Sequence, residues 1–197
     1  VTSPVDGTIR QVGQNMSINW TRQGNIPTVT IKYSPNNGTN WTTLATTVNA
    51  STLTWLWNIS LNETTTTQGK INVSDDTDPN NVYALSGGFF NIKGNLEITA
   101  PNATGIVMAY DGGTSAYNIT WNRYGSIPGV QLRYSNDGGG TYPSGKIIAN
   151  VSATASPHSW TIPNDIGFNL TMRVVDQNDT LVKSDSYTPF AIKGSIL

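Results

Sequence analysis

The chain contains the stretch Ile18-Asn19-Trp20-Thr21-Arg22-Gln23-Gly24-Asn25-Ile26-Pro27, which decides the fold because it returns as Ile119-Thr120-Trp121-Asn122-Arg123-Tyr124-Gly125-Ser126-Ile127-Pro128. Two further pairs of segments match in the same order: Val29–Ser34 with Val130–Ser135, and Phe90–Gly94 with Phe190–Gly194. Chance does not give three ordered matches, so the 197 residues form an internal duplication. Because domains are commonly about 100 residues long, we predict one domain over 1–94 and a second over 95–197.

Apolar and polar residues alternate with period two in both copies. The segments Met16–Trp20, Val29–Tyr33 and Val130–Tyr134 all have this pattern, which is typical of half-buried strands. The run Phe168–Val174 has it too, and there it predicts that Phe168 points inward. Turn signals recur about every 8 to 12 residues and no segment has a helical period, so we predict an all-β sandwich in each half.

The composition agrees with strands and excludes several classes of function. The chain has 27 Thr and 22 Asn but only two Glu and six Lys, so good helix formers for a surface are scarce. Charged residues make up 12% and the net charge is -1, which leaves no basic field for nucleic acid. There is no Cys, and therefore neither a disulfide nor a thiolate site. No apolar run reaches the length of a membrane span.

Each copy contains a series of short motifs. In copy one they are Thr2-Ser3-Pro4, Val12-Gly13, Ile18-Asn19-Trp20-Thr21, Ile31-Lys32-Tyr33-Ser34 and a closing Phe90-Asn91-Ile92. Copy two has, in addition, Trp160-Thr161-Ile162-Pro163 before its closing Phe-x-Ile. This series resembles the extracellular immunoglobulin-like repeats of large bacterial and archaeal surface proteins, which are similar to the Ser/Thr-rich, GPI-anchored fungal cell-wall family. The first copy departs from it at Trp55–Asn58. The resemblance implies two tandem immunoglobulin-like β-sandwiches joined by a short linker, and a place at the cell surface. It implies no chemistry.

The joint between the copies predicts an end-to-end arrangement. Lys93-Gly94 is followed by Asn95-Leu96-Glu97, and Lys193-Gly194 by Ser195-Ile196-Leu197, so the end of copy two fits the start of copy one in the same register. We therefore predict head-to-tail partners, either copies of the chain or adjacent repeats, with Val1–Pro4 and Ala191–Leu197 as the interface. An ordinary two-domain protein is the alternative.

Asparagine glycosylation is the second functional signal. The sequence Asn-x-Ser/Thr occurs at 13 of the 22 asparagines, where chance would give about 5. The candidate sites are Asn15, Asn19, Asn37, Asn40, Asn49, Asn58, Asn62, Asn72, Asn102, Asn118, Asn150, Asn169 and Asn178. Alternation accounts for some, such as Asn118 and Asn169, but there the asparagine and the hydroxyl residue are both expected to face solvent. We predict covalent N-glycans at several sites.

Residues that could carry chemistry are few. His158 is the only histidine and has no counterpart in copy one, so we expect a structural or exposed side chain there. Asp76, Asp78 and Asn80 have the alternate oxygen spacing of a calcium loop but lack its glycine and its final acid. Two interpretations stay open, a weak Ca²⁺ site and an Asx-rich turn, and the turn is favoured. We predict no catalytic residue, no cofactor and no other metal ligand.

Two aromatic hairpins complete the list of candidates. Ser135–Tyr142 looks like the Asp-box hairpin of sialidase-type propellers, and Ser34–Trp41 is a looser version with Asn36 in the place of the Asp. We favour a simple hairpin turn, because a propeller needs several blades. Trp41 and Tyr142 are expected to be partly exposed. By contrast, Trp20 and Trp121 lie on apolar faces and are expected in the core.

Together these patterns predict a non-enzymatic structural subunit or repeat of an extracellular, glycosylated filament, surface layer or giant surface protein. The alternative is an adhesive or carbohydrate-binding module of a larger secreted protein. Dense sequons without any Cys favour a prokaryotic, in particular an archaeal, cell surface.

Overall fold

A computed structural model describes residues 1–195 of the protein; Ile196 and Leu197 lie outside the described residues. The chain divides into two compact units, Val1–Gly94 and Asn95–Leu197. Both are built from strands, and the only helical segments within 1–195 are two short 3-10 turns, Ala50–Thr52 and Ser144–Lys146.

Unit 1 contains eight strands in two sheets. The strands are β1 (Ile9–Gln11), β2 (Asn15–Asn19), β3 (Thr28–Ser34), β4 (Thr42–Asn49), β5 (Thr54–Asn58), β6 (Thr66–Asp75), β7 (Tyr83–Leu85) and β8 (Phe90–Lys93). The larger sheet has the order β1-β8-β6-β3-β4, with β7 also paired to β6. The smaller one pairs β2 with β5, and Ser3 adds a single bridge to Asn19. Only β1 and β8 are parallel; the other pairs in the unit are antiparallel.

Unit 2 repeats this plan with nine strands. They are β9 (Asn95–Ala100), β10 (Val107–Tyr110), β11 (Ala116–Tyr124), β12 (Gly129–Ser135), β13 (Ile147–Ser152), β14 (His158–Thr161), β15 (Gly167–Asp176), β16 (Lys183–Asp185) and β17 (Phe190–Gly194). The larger sheet is β10-β17-β15-β12-β13 with β16 on β15, and the smaller is β14-β11-β9. Two face-to-face sheets with this strand order define an immunoglobulin-like sandwich in each unit, so the predicted fold class is confirmed.

The core of each sandwich is centred on one tryptophan of the smaller sheet. Trp57 lies 4.7 Å from Tyr33 and 6.4 Å from Phe90, measured between ring centroids. Trp160 in unit 2 has the same partners, Tyr134 at 5.2 Å and Phe190 at 6.1 Å. Rings at such separations contribute beyond the area they bury.

The repeated tryptophans Trp20 and Trp121 are buried, as predicted, and both indole N–H groups are satisfied. Trp20 Nε1 donates to the carbonyl of Ala50 at 3.3 Å, and Trp121 Nε1 donates to that of Ala153 at 3.0 Å. A buried indole needs such a partner. These bonds hold the end of β2 against the 3-10 turn before β5, and β11 against the loop before β14.

The prediction that Phe168 points inward is wrong. Its side chain is 74% exposed, whereas Leu170, Met172 and Val174 are fully buried. The pairing of β15 with β17 is irregular between Gly167 and Leu170, and this local irregularity breaks the period-two alternation at the start of the strand.

The connection between the two sandwiches is short, as predicted, and it is shorter than the segment 94–97 that the sequence suggested. Asn95, Leu96 and Glu97 are the first residues of β9, so Gly94 alone separates β8 from β9 along the chain. Leu96 is buried in the core of unit 2. Residues that look like a polar connection in the sequence therefore form the start of a strand in the second sandwich.

Candidate functional sites

The sequon asparagines lie at the surface of both units. Ten of the 13 are exposed, and the other three, Asn19, Asn72 and Asn102, are half-buried. A glycan is attached through the side-chain amide nitrogen, so what that nitrogen contacts decides how accessible each site is in the folded protein. Whether any site is glycosylated stays a prediction.

Two sequons in unit 1 face each other directly. Asn15 on β2 pairs with Asn58 on β5, and both side chains are exposed on the outer face of the smaller sheet. Asn19 lies further along β2, where its Oδ1 accepts a hydrogen bond from Thr54 Oγ1 at 2.7 Å. This face thus presents three candidate attachment points on two short strands.

Asn102 is the most constrained sequon. Its Nδ2 donates to the carbonyl of Ile98 at 3.3 Å, and its Oδ1 accepts from the backbone N–H of Tyr187 at 2.7 Å. Asn102 therefore joins the loop after β9 to the loop before β17. Asn72 is also constrained, because its Oδ1 is buried in the middle of the larger sheet of unit 1.

The expectation that both residues of the Asn169 sequon face solvent is wrong for the hydroxyl residue. Asn169 is exposed, but Thr171 is only 6% exposed. Tyr142 covers Thr171, and the two hydroxyl groups are hydrogen-bonded at 3.1 Å. The alternation of residues along β15 cannot show that a side chain from the hairpin between β12 and β13 lies over Thr171.

The hairpins between β3 and β4 and between β12 and β13 share one hydrogen-bond network. Ser135 Oγ donates to Asp137 and accepts from the N–H of Gly139 at 3.0 Å. Asp137 Oδ1 in turn accepts from the N–H of Thr141 at 2.9 Å. The hydrogen bond from Ser135, followed by those from Thr141, holds the pKa of Asp137 at about 2.

The unit 1 hairpin has the same arrangement with an amide in place of the carboxylate. Ser34 Oγ accepts from the N–H of Gly38 at 2.8 Å, and Asn36 Oδ1 accepts from the N–H of Asn40 at 2.9 Å. In the Asp-box-like motif of unit 2, the carboxylate of Asp137 is thus hydrogen-bonded to residues of its own loop. This is the role of a turn-stabilising residue, in agreement with the favoured hairpin interpretation.

The aromatic residues after these hairpins are half-buried, as predicted, and each ring has a neighbour from its own unit. The guanidinium of Arg173 lies 3.8 Å from the ring centroid of Tyr142 and forms two hydrogen bonds with the carboxylate of Asp185, at 2.6 and 2.7 Å. The ring of Trp41 lies over Gly38.

The acidic loop of unit 1 is bound to its neighbours. Asp76 Oδ1 accepts from Thr30 Oγ1 at 2.6 Å, and Asp78 Oδ1 accepts from Asn81 Nδ2 at 2.9 Å, while Asn80 is exposed. Asp75, just before them, accepts from the N–H of Thr77 as an Asx turn does. Within residues 1–195 no three His, Cys, Asp or Glu side chains are grouped closely enough to hold a metal ion.

The single histidine, His158, and the carboxylate of Asp111 each contact residues of their own strand pair or loop. His158 is half-buried on β14, where it pairs with Ile119. The carboxylate of Asp111 accepts hydrogen bonds from Ser115 and Thr114, and these lower the pKa of Asp111. In the described part of the chain no helix is long and apolar enough to cross a membrane.

A polar cleft of about 310 Å³ lies on the larger sheet of unit 2. It is lined by the amides of Gln131, Asn150 and Gln177 and by Arg133. Gln131 connects two of these groups, because its Nε2 donates to Asn150 Oδ1 at 2.9 Å and its Oε1 accepts from Arg133. The sequence offered no signal for this cleft, since its residues come from three strands and a loop.

The predicted interface segments are partly committed to their own units. Ala191 and Ile192 are buried, and β17 pairs with both β10 and β15, whereas Lys193 and Gly194 are exposed. Whether Val1–Pro4 and Ala191–Leu197 form an interface stays a prediction. Ser195 is exposed, and Ile196 and Leu197 lie outside the described residues. At the other end Pro4 is buried and Ser3 pairs with Asn19.

Comparison with known proteins shows likeness only at the level of the fold. No family model and no curated protein sequence matches the chain. Among solved structures, the fibronectin(III)-like modules of Clostridium thermocellum CbhA match 98% of this chain and 92% of theirs, at 15% identity and a TM-score of 0.33. The N-terminal four Ig domains of Dscam1 isoform 8.4 match 96% of this chain at 11% identity and a TM-score of 0.43. The eight N-terminal Ig domains of Down Syndrome Cell Adhesion Molecule isoform 1.30.30 match 95% at 12% identity and a TM-score of 0.38.

The chain spans 43% and 22% of the two Dscam chains, respectively. All three TM-scores are low, so the assignment of the fold rests on the strand pairing within each unit. The two units are tandem immunoglobulin-like domains.

Proposed function

We propose that this chain is a structural module of an extracellular, N-glycosylated assembly at a prokaryotic cell surface, in which units of this type follow one another end to end. The observation that carries the proposal is strand β9. The three residues that follow Lys93-Gly94 are not a spacer but the first residues of a strand in the next sandwich.

The same joint is available after unit 2. β17 ends at Gly194 in the same Lys-Gly pair that closes β8, and Ser195 stands where Asn95 stands after unit 1. A following unit of the same type would take up Ser195-Ile196-Leu197 as unit 2 takes up Asn95-Leu96-Glu97. Units of one type that follow one another along a chain are typical of linear repeat arrays.

The surface supports an extracellular, glycosylated role. Sequons lie on strands and loops of both units, eight in unit 1 and five in unit 2, and no sequon asparagine is fully buried. Glycans on such a surface would hydrate a chain in which only 12% of the residues are charged, and would hinder unwanted pairing at strand edges. A non-enzymatic role is part of the proposal, because the carboxylates of Asp111 and Asp137 are occupied by the backbone and hydroxyl groups of their own loops.

Two measurements on material isolated from the source cells test this function. Electron microscopy is expected to show linear assemblies, and mass spectrometry is expected to give a mass well above the 21.2 kDa of the polypeptide. A monodisperse, monomeric particle with the bare polypeptide mass would contradict both parts of the proposal.

A carbohydrate-binding module is the second candidate, and the cleft at Gln131 is the observation that favours it. Amide side chains beside an arginine can hydrogen-bond to sugar hydroxyl groups. A glycan array compares the chain with a Gln177→Ala variant, using Gln23→Ala in unit 1 as the control. Binding that Gln177→Ala alone removes would favour this candidate, whereas no binding by any of the three proteins would exclude it.

A further inference from the structure

The polar cleft of unit 2 has a candidate glycosylation site in its own wall. Asn150 lies on β13, opposite Gln131 of β12, and both side chains line the cleft. Asn150 begins the sequon Asn150-Val151-Ser152, in which the asparagine and the serine are both exposed. The place where a sugar would be attached is therefore also a place where a sugar could be bound.

A hydrogen bond holds the amide of Asn150 in the orientation that attachment of a sugar needs. Its Oδ1 accepts from Gln131 Nε2 at 2.9 Å. A glycan is attached through Nδ2, so the bond between Asn150 and Gln131 can persist after attachment and can fix the direction in which the sugar leaves the strand. Asn102 differs, because its Nδ2 itself donates a hydrogen bond in the folded unit.

The lining of the cleft suits a sugar ring, which has both apolar C–H groups and hydroxyl groups. Val175 pairs with Gln131 across the sheet, is only 4% exposed, and gives the cleft an apolar part. The amides of Gln131 and Gln177 and the guanidinium of Arg133 supply the polar part. The volume of about 310 Å³ lies at the lower end of the range of roughly 300–1,000 Å³ for small-molecule sites.

Arg133 is the lining residue that has a donor to spare. Its Nη2 donates to Gln131, whereas its Nε is buried and has no hydrogen-bond partner in the described part of the chain. A buried donor without an acceptor is unfavourable, so an oxygen atom brought to this wall by a ligand would stabilise it.

Unit 1 differs at the equivalent place in both the sequon and the lining. By the register of the strands, Thr47 holds the position of Asn150, and it begins no sequon. Thr30 and Asp76 replace the two glutamines of the cleft, and they are hydrogen-bonded to each other at 2.6 Å. The sequon and the amide lining thus change together between the units, as is expected if they act together.

We propose that the cleft binds the first sugar residues of the N-glycan that Asn150 itself carries. This inference rests on the N-glycosylation in the proposed function, and it makes the cleft the seat of an attached glycan rather than a receptor for free sugars. A ligand on a short tether has an effective concentration in the millimolar range, so a weak affinity is enough to keep the cleft filled. A glycan bound in this way stabilises the folded unit, as does any ligand that binds only the native state.

Two substitutions of Ser152 provide a matched pair for the test. Ser152→Ala removes the sequon but keeps Asn150 and its bond to Gln131, whereas Ser152→Thr keeps the sequon. Gln177→Ala is then added to each, and all four full-length chains are produced in the source cells. Glycopeptide mass spectrometry measures the occupancy of Asn150, and calorimetry measures the unfolding temperature of unit 2.

Gln177→Ala removes the bond from its amide to the carbonyl of Val130 in both backgrounds, so only the difference between the backgrounds reports on the glycan. Gln177→Ala is expected to lower the unfolding temperature by about 2–5 °C more in the Ser152→Thr chain, which carries the glycan, than in the Ser152→Ala chain. In NMR spectra of the two single variants, the side-chain amide signals of Gln177 should differ, and those of Gln23 in unit 1 should not.

An equal effect of Gln177→Ala in the two backgrounds would overturn this inference. It would also be overturned by an unmodified Asn150 in a chain that carries glycans at its other sequons. In both cases the proposed function stands. A chain without any N-glycan would overturn both this inference and the glycosylated role.

Discussion

At the scale of single residues, the two copies solve one packing problem in different ways. Gly69 on β6 and Leu170 on β15 hold the same place, opposite Phe90 and Phe190 respectively. A Cβ on Gly69 would lie 2.7 Å from a ring carbon of Phe90, so the ring takes the volume that Leu170 fills in unit 2. Side chains are therefore not interchangeable between the copies even where the backbones match.

Gly69→Ala is expected to destabilise unit 1 by about 1–3 kcal/mol, because the added methyl overpacks the core against Phe90. The control is Gly87→Ala, where an added Cβ meets nothing within 4 Å. Calorimetry should show that the unfolding temperature of unit 1 falls in Gly69→Ala and hardly changes in Gly87→Ala. Equal behaviour of the two variants would contradict the overpacking argument.

Asp137 makes the unit 2 hairpin sensitive to acid. Its pKa is lowered from 3.8 to about 2, so the stabilisation by its carboxylate is present above about pH 4 and is lost as the pH falls through about 2. NMR titration should show the N–H signals of Gly139 and Thr141 shifting in that window. The unit 1 hairpin is the internal control, because Asn36 does not titrate and the signals of Gly38 and Asn40 should not move with it. Titration of Asp137 near its ordinary pKa would contradict the hydrogen-bond network.

At the scale of strands, the sequence predicts what depends on regular alternation. Met16 and Ile18 are buried and their polar neighbours are not, as the period of two indicates. The prediction fails for Phe168, where an irregularity shifts the register, and for Thr171, where Tyr142 covers a residue on the outer face. Both failures depend on contacts between segments that are distant in sequence, and such contacts leave no local pattern.

The joint shows the same limit. Asn95-Leu96-Glu97 has one apolar residue between two polar ones, which is too little to predict a strand. Its role comes from the extended β11 beside it and from the space for Leu96 in the core. The sequence did predict that residues after each Lys-Gly pair matter. It could not tell that they belong to a sheet.

The edge strand β4 contains a local strain that no alternation pattern indicates. Thr47 has φ of 53°, and the pairing of β3 with β4 is irregular between Val29 and Ile31, which oppose Val48 and Ala45. A bulge at this place twists the edge and discourages pairing with other chains. A β-branched residue with positive φ costs roughly 1–2 kcal/mol.

Thr47→Gly is accordingly expected to stabilise unit 1 by up to about 1 kcal/mol, because relief of the strain exceeds the entropy that glycine adds to the unfolded chain. Thr46→Gly, one residue earlier and also exposed, has no such strain and should destabilise by about 0.5–1 kcal/mol. Denaturant unfolding of both variants measures the difference. The opposite order of stability would contradict the strained backbone.

At the scale of the whole molecule, the low charge and the many sequons both bear on how the surface is hydrated. A surface with a net charge of -1 has little electrostatic repulsion to keep chains apart in solution. Glycans can supply that hydration without adding charge, and the exposed asparagines lie on both sheets of each unit. An end-to-end assembly then needs at least one surface without attached sugars.

Site-by-site occupancy is the property that tests this use of the surface. Asn102 should be the least occupied sequon in unit 2, because its amide nitrogen donates to Ile98 and its oxygen accepts from Tyr187 in the folded unit. Asn178 is the matched comparison, since it lies exposed in a loop and its sequon also ends in threonine. Glycopeptide mass spectrometry measures both in one digest. If Asn102 carried as much glycan as Asn178, the sugar would have displaced the bond that joins two loops of unit 2, and folded-state accessibility would not govern where this chain is modified.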